Sequence, residues 1–192
     1  MISFSFSRLR RQFTGANARS GRKRQAPLAF PLNFSGKVAL YEGPGDAWDD
    51  LCALAPEAIA APLQRALDLA DARMKGLVDL SSLSFAVVVL TDVSGAPLDQ
   101  RQRDLLWRAF RVPVFEQLRD WDGGVIAREC ETHNGLHLIE GTDARIEEGE
   151  LWIDGRRTGL AGAISQELCE CGAEAAVLRD LAVLPTARAV AA

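Results

Sequence analysis

The sequence predicts an α/β domain built on a partly parallel sheet with flanking helices, continued by a region of short β-hairpins. Three observations carry this expectation. Ser84 to Leu90 is continuously apolar and rich in β-branched residues, the pattern of a strand buried on both faces, as strands of parallel sheets are. A helix signal follows (Pro97-Leu98-Asp99, then Leu105, Leu106 and Phe110), and then the short apolar run Val112 to Phe115. Residues 84–116 therefore read as one βαβ unit, whose crossover makes its two strands parallel. From Val125 the texture changes to short alternating segments punctuated by Asn134-Gly135, Glu148-Gly149 and Asp154-Gly155, dipeptides that favour the positive φ of hairpin turns.

Along the chain, residues 27–45 form an irregular lead-in with prolines at 27, 31 and 44 and glycines at 36, 43 and 45, interrupted by a short strand at Lys37 to Tyr41. Asp46 is a good N-cap for a helix through Leu54, because its carboxylate accepts the free N–H groups of a first turn. Pro56-Glu57 reads as the start of a second helix, since proline fits the first helical position and the acid suits the positive end of the helix dipole. Ile59, Leu63, Leu67, Leu69, Ala70 and Met74 then recur at three- and four-residue spacing, which makes the run to Met74 amphipathic. Farther on, Glu150-Leu151-Trp152-Ile153 alternates polar with apolar, and Ala175 to Leu184 supplies a final strand. The resulting division is a basic tail over residues 1–26 and a single α/β domain over 27–192.

Composition narrows the function classes. Of 192 residues, 48% are hydrophobic and 25% charged, as in a globular domain, and the longest apolar runs fall far short of the ~18–20 residues a membrane helix needs. The net charge of −4 conceals a split: the first 25 residues hold seven Arg and Lys and no acid, which leaves 15 of the 22 bases against all 26 acids. A body at −11 excludes nucleic acid as the main partner of the folded part, because phosphate binding needs a basic face. The tail, with Arg8, Arg10, Arg11, Arg22, Lys23 and Arg24, is open to reading as a transit peptide, an anionic-surface contact or an export signal. Export fails, since no apolar stretch follows the arginine pair between Thr14 and Gln25. A solvated, disordered leader is the expectation, and with it a cytoplasmic location.

Chemistry concentrates in the soft ligands. There are four cysteines and two histidines, and five of these six fall in two clusters: Cys130, His133 and His137, then Cys169 and Cys171. Thiolates and imidazoles are the preferred zinc ligands, and a structural site takes four of them as two pairs from two loops. Cys130 with His137 or His133, plus Cys169 with Cys171, supplies that set. Unliganded thiols clustered by chance are the plain alternative, and a disulfide is the rival. Cys169 and Cys171 are too close in sequence for an easy bridge, and no oxidising compartment is indicated. Cys52 reads as a small buried hydrophobe. A nucleophilic Cys130 with His133 as base is disfavoured, because Glu129, Glu131 and Asp143 would raise a thiol pKa. The sequence carries no nucleophile elbow and no phosphate-cradling glycine loop.

These residues also resemble a known family. Val112-Pro113-Val114-Phe115-Glu116-Gln117, Gly124-Val125-Ile126-Ala127-Arg128-Glu129-Cys130, Gly135-Leu136-His137, Arg157-Thr158-Gly159 and Cys169-Glu170-Cys171-Gly172 resemble, in order, the C-terminal half of the N-terminal domain of the phenylacetate-CoA ligase and coenzyme F390 synthetase family of adenylate-forming enzymes. The resemblance covers roughly residues 84–175. It implies a fold fragment of an ATP-dependent carboxylate-CoA ligase and a zinc ion held by Cys130, His137, Cys169 and Cys171.

The family's catalytic motifs are degenerate here. Where the family has Tyr-Gly-Ser/Thr-Thr-Glu, which holds adenylate phosphate and magnesium, this chain has Leu118-Arg119-Asp120-Trp121-Asp122. Asp122 preserves a carboxylate, one methylene shorter, and Trp121 replaces the threonine. Gly95-Ala96 stands for the family's strand-end Gly-Glu, and Arg157-Thr158-Gly159-Leu160 for Arg-Thr-Gly-Asp, whose aspartate binds the ribose. A leucine leaves ribose hydroxyls unpaired, at about 1–3 kcal/mol each. Asp122 and Arg157 are the residues the resemblance still assigns to nucleotide contact. A ligase of this family also has a phosphate loop and a lysine-bearing lid that find no match here. The expectation is a catalytically degenerate, zinc-containing relative acting as a binding or accessory protein, with a subunit of a split ligase completed by a partner chain as the alternative. Partners in view are a protein or a second copy of the chain, or an acyl or aryl molecule in a pocket lined by Trp107, Trp121 and Trp152. Packing in a core or interface is the favoured role for those tryptophans.

Overall fold

The computed structural model describes residues 36–43 and 48–185. The basic tail over 1–26 and the Asp46 cap lie outside the described residues. The described chain runs β1 (Val38–Leu40), α1 (Trp48–Leu54), β2 (Ala58–Pro62), α2 (Leu63–Met74), β3 (Ala86–Asp92), α3 (Gln100–Phe110), β4 (Val114–Arg119), β5 (Val125–Glu129), β6 (Leu136–Leu138), β7 (Ala144–Glu147), β8 (Glu150–Ile153), β9 (Arg156–Ser165) and β10 (Val177–Val183). All ten strands join one sheet in the order β1-β2-β3-β4-β5-β6-β10-β9-β8-β7. The first four are parallel, and every later pairing is antiparallel.

The expected βαβ unit is β3-α3-β4, with Val87 paired to Val114 and Asp92 to Arg119. Strands in sequential order joined by crossovers of one hand place their helices on one face. Accordingly α1, α2 and α3 share a core with that face, in which Leu51, Leu69, Leu106 and Phe110 meet Ile59, Val87, Val89 and Val114. Each large side chain so buried contributes ~1.5–3 kcal/mol. Leu40, Ala60, Val88 and Leu90 meet on the opposite face. Helix α3 begins where the sequence places it: the Asp99 carboxylate accepts the Gln102 N–H at 2.8 Å while the Gln102 side chain accepts the Asp99 N–H at 3.0 Å, a reciprocal cap. It ends at Arg111, whose φ of 58° lets its N–H reach the Trp107 carbonyl.

One expectation is corrected. The helix expected from Pro56 to Met74 starts only at Leu63, and Ala58 to Pro62 is a central strand between β1 and β3. Ala58, Ile59, Ala60 and Ala61 are sealed on both sides, at 0–1% exposure. A strand buried on both faces shows no polar alternation, and alanine's helix propensity hides it. Small residues on α2 (Ala66, Ala70, Ala72) lie in the core beside Leu69, whereas Met74, expected on the apolar stripe, is exposed.

The antiparallel region has its own core, in which Leu118, Ile126, Leu136, Leu151, Ile153, Leu160 and Leu178 meet. Its hairpins close on Glu148-Gly149 (φ 51° and 82°) and Asp154-Gly155 (φ 51° and 74°), the doubly left-handed turns that match strand twist. Asn134-Gly135 is different: Glu129 pairs with Leu136, so residues 130–135 form a longer loop. Gly135 is required there for space, since a Cβ would stand 2.4 Å from the Leu178 carbonyl oxygen and 2.7 Å from Val177 Cγ1. Glu150 breaks the expected alternation by being buried, its carboxylate accepting from the Gly159 N–H at 2.9 Å and from the Arg157 guanidinium. That partnership holds the Glu150 carboxyl below the ordinary range, the Arg157 hydrogen bond being the main cause.

Two buried carboxylates lie where the parallel and antiparallel parts meet. Glu116 accepts from Thr91 Oγ1 at 2.8 Å and from the Leu98 N–H at 3.0 Å, and burial pushes its carboxyl above the ordinary range. Glu129 accepts from the Glu116 N–H at 2.8 Å and pairs with Arg103 at 3.0 Å.

Candidate metal centre

β6 is the organising strand of the site. It pairs with β5 on one side and with β10 on the other, so that His137 stands beside both Arg128 and Val177. Cys130 follows the end of β5, and the loop leading from β9 into β10 carries Cys169 and Cys171. In consequence Cys130, His137, Cys169 and Cys171, separated by as much as 41 residues of chain, bring their ligand atoms within 4.8 Å of one another. Cys130, His137 and Cys169 are 4–5% exposed, and Cys171 is half-buried. The closest approaches are 3.8 Å between Cys130 Sγ and Cys169 Sγ and 3.5 Å between Cys171 Sγ and His137 Nε2. All four cysteines of the chain are free thiols, Cys52 among them, half-buried on α1 against the helix-side core. This buried Cys3His set is able to hold a metal ion.

The surroundings favour thiolates unequally. Cys169 is lowered to about 6 by the Thr132 hydroxyl first and then by the Cys171 N–H, whereas burial first, with the neighbouring thiols, raises Cys171 to about 11. Thr132 Oγ1 stands 3.0 Å from Cys130 Sγ and 3.4 Å from Cys169 Sγ. A turn closed by the Gly172 N–H on the Cys169 carbonyl at 2.8 Å brings Cys171 back beside Cys169. His137 Nδ1 is buried with no partner among the described residues.

His133, the alternate ligand, is not part of this set. Its Nδ1 pairs with Glu129 Oε1 at 3.1 Å and its ring stacks on Phe115 at 4.9 Å. The Cys130–His133 nucleophile pair is therefore not assembled. Of the acids expected to crowd Cys130, Glu129 turns to Arg103, Glu116 and His133, while Glu131 is exposed and Asp143 is exposed with Arg145 as its ion-pair partner.

Two of the positions matched to the ligase nucleotide motifs, Arg157 and Leu160, are engaged in the fold. Asp122 is exposed, its N–H donated to Asp120. Arg157 is paired with Glu150. Leu160 is 1% exposed in the antiparallel core. Among the described residues the three tryptophans lie apart. Trp107 lines a groove of about 400 Å³ with Arg103, Arg111, Pro113 and His133. Trp152 lines another of about 400 Å³ with Glu147, Glu148 and Arg157, and Trp121 packs on the antiparallel core under the Arg156 guanidinium, 3.9 Å from its ring centre. Thr132 is the site residue that sequence reasoning missed, because a hydroxyl between two expected ligands carries no spacing signal of its own.

Solved structures similar to the chain bear on its fold. One is an open conformation of 2-hydroxyisobutyryl-CoA ligase in complex with 2-HIB-AMP and CoA, at TM-score 0.54 and 13% identity over 72% of this chain and 36% of the ligase. The same ligase in its thioesterification state matches at TM-score 0.53 and 13% identity, over 72% of this chain and 35% of the ligase. The chain thus has the fold of part of a CoA ligase and spans about a third of such an enzyme's length. The sequence matches no protein-family model and no curated protein. Among the described residues no helix is long and apolar enough to cross a membrane.

Proposed function

We propose that this protein is a zinc-stapled relative of the adenylate-forming CoA ligases that has lost nucleotide chemistry and acts in the cytoplasm as a binding or accessory protein. The carrying observation is a contrast. Four soft ligands converge from distant segments, while two positions of the ligase nucleotide motifs serve the fold instead, Leu160 in the core and Arg157 on Glu150, and Asp122 is left exposed.

The donor chemistry supports zinc in particular. A tetrahedral zinc with bonds of ~2.3 Å to sulfur and ~2.0–2.1 Å to nitrogen has sulfur–sulfur edges of about 3.8 Å and sulfur–nitrogen edges of about 3.6 Å. The Cys130–Cys169 and Cys171–His137 approaches of 3.8 and 3.5 Å have those lengths. Three thiolates and an imidazole, with no carboxylate in the set, suit zinc over magnesium or calcium. Four protein ligands leave no open position, so the ion would brace the loops and activate no water. Its ligands would be Cys130, His137 through Nε2, Cys169 and Cys171.

Metal analysis of the purified full chain tests the first half, with one zinc per chain expected; a metal-free, fully stable preparation overturns it. Calorimetry with ATP, AMP and CoA tests the second, with no binding expected, and micromolar ATP affinity with pyrophosphate release overturns it. The rival reading is a subunit of a split acyl- or aryl-CoA ligase completed by a partner chain. That rival is supported if ligase activity emerges only on mixing with a chain carrying the phosphate loop and lid.

A further inference from the structure

We infer that Thr132 shares its one hydroxyl proton between two of the metal-binding thiolates, Cys130 and, less closely, Cys169, and that this hydroxyl sets how tightly the site holds its ion. The inference rests on the metal reading above and deepens it. Thr132 Oγ1 is 3.0 Å from Cys130 Sγ and 3.4 Å from Cys169 Sγ, between two sulfurs that come from opposite sides of β6. Once an ion is bound both sulfurs are thiolates, which have no proton to offer. The hydroxyl must then be the donor in either contact, and a hydrogen bond to an ionised acceptor is the stronger kind.

The loop is built to aim this hydroxyl. The His133 N–H closes a turn on the Cys130 carbonyl at 3.1 Å. His133 itself adopts a φ of 52° and is clamped by Glu129 at 3.1 Å and by the Phe115 ring. The residue that sequence spacing offered as an alternate ligand therefore anchors the turn carrying Thr132. A second observation gives the hydroxyl more weight. Metal-binding imidazoles ordinarily donate their other ring N–H to an acceptor that orients them, yet His137 Nδ1 is buried without a partner among the described residues. The outer-shell support of this centre comes from the sulfur side. With three thiolates around a dication the centre carries a net negative charge, and the hydroxyl proton offsets part of it.

The test uses the full chain, cobalt(II) as a spectroscopic probe and zinc(II) in competition with a chromophoric chelator. Thr132→Val removes the hydroxyl at nearly constant shape and is expected to weaken binding of both ions about ten-fold or more, the usual range for loss of an outer-shell partner. It is also expected to move the thiolate-to-cobalt charge-transfer band to longer wavelength, because a thiolate that loses its donor gives up an electron more readily. Thr132→Ser restores both. If the valine chain does not fold, Thr132→Ala gives the same reading without a buried methyl group. Wild-type affinity and an unmoved band in the hydroxyl-free variant overturn the role of Thr132 while leaving the metal site standing. A wild-type chain that binds neither ion overturns the metal reading itself, and the role of Thr132 with it.

Discussion

The parallel part of the sheet (β1 to β4 with α1 to α3) and the antiparallel part (β5 to β10) are stabilised by different means. Among the described residues twenty buried side chains form the helix-side core of the first, and only nine form the core of the second. The first part therefore has the larger apolar core. Among the described residues no helix covers the second, which relies on hairpin turns, on ion pairs such as Arg157–Glu150, and on the loops gathered at the Cys3His centre. A single sheet layer buries little apolar surface, and on the proposed reading an ion held at the Cys3His centre would brace its loops.

The largest expected effect on that contrast comes from stripping any metal held by the Cys3His centre. Structural zinc binding is worth ~10 kcal/mol or more at neutral pH, so chelation or Cys169→Ser is expected to melt the loops of the antiparallel part. Hydrogen exchange should quicken at β6, β9 and β10 and stay slow at β2 and β3. Acid should act in the same direction, since protons compete with the metal for thiolate and imidazole. Uniform loss of protection across both parts would show that they do not differ in this way. Next in size is Phe110→Ala, which empties the helix-side core and should cost about 3–5 kcal/mol while leaving metal stoichiometry unchanged in chemical denaturation and metal assays.

Leu160→Asp restores the carboxylate that the ligase pattern has at this position. Because Leu160 is 1% exposed, the substitution buries an unpaired acid and should cost about 3 kcal/mol without conferring ATP binding by calorimetry. The smallest effect is expected of Glu116→Gln. The folded-state pKa of Glu116 is raised above its ordinary value of 4.5, with burial as the leading cause. Its charge thus costs stability above the folded pKa and costs nothing below the ordinary one. Glutamine keeps an acceptor for Thr91 and Leu98, so the variant should be at least as stable as the parent at pH 7. Denaturation midpoints should converge as pH falls toward 4.5; a gap that is independent of pH contradicts this account.

Where local chemistry decides structure, the chain is readable. The reciprocal cap at Asp99 and Gln102, the left-handed pairs Glu148-Gly149 and Asp154-Gly155, and the double-faced apolar run of β3 are each set by residues a few positions apart. Ala58 to Pro62 is not readable in this way, since an alanine-rich central strand and the first turn of an amphipathic helix have the same local pattern. Glu150 fails for a related reason: it is polar by type and buried by virtue of Arg157 and the Gly159 N–H across the hairpin.

The candidate site divides similarly. Cysteine and histidine chemistry, with the family resemblance, points to Cys130, His137, Cys169 and Cys171 from the sequence. Choosing between His133 and His137 from the residues alone was not possible, because both lie within seven positions of Cys130 and spacing weighs them alike. The structure separates them by strand pairing. His137 lies on β6, flanked by both neighbouring strands, whereas His133 is taken by Glu129 and Phe115. By itself, then, the sequence determined the kinds of element, the turn types and the ligand chemistry, all of which depend on near neighbours. Only tertiary structure decided which ligands meet, which polar groups are buried and that a threonine hydroxyl stands between two sulfurs. Those outcomes depend on β6 bringing together segments about 40 residues apart, and no local pattern encodes that distance.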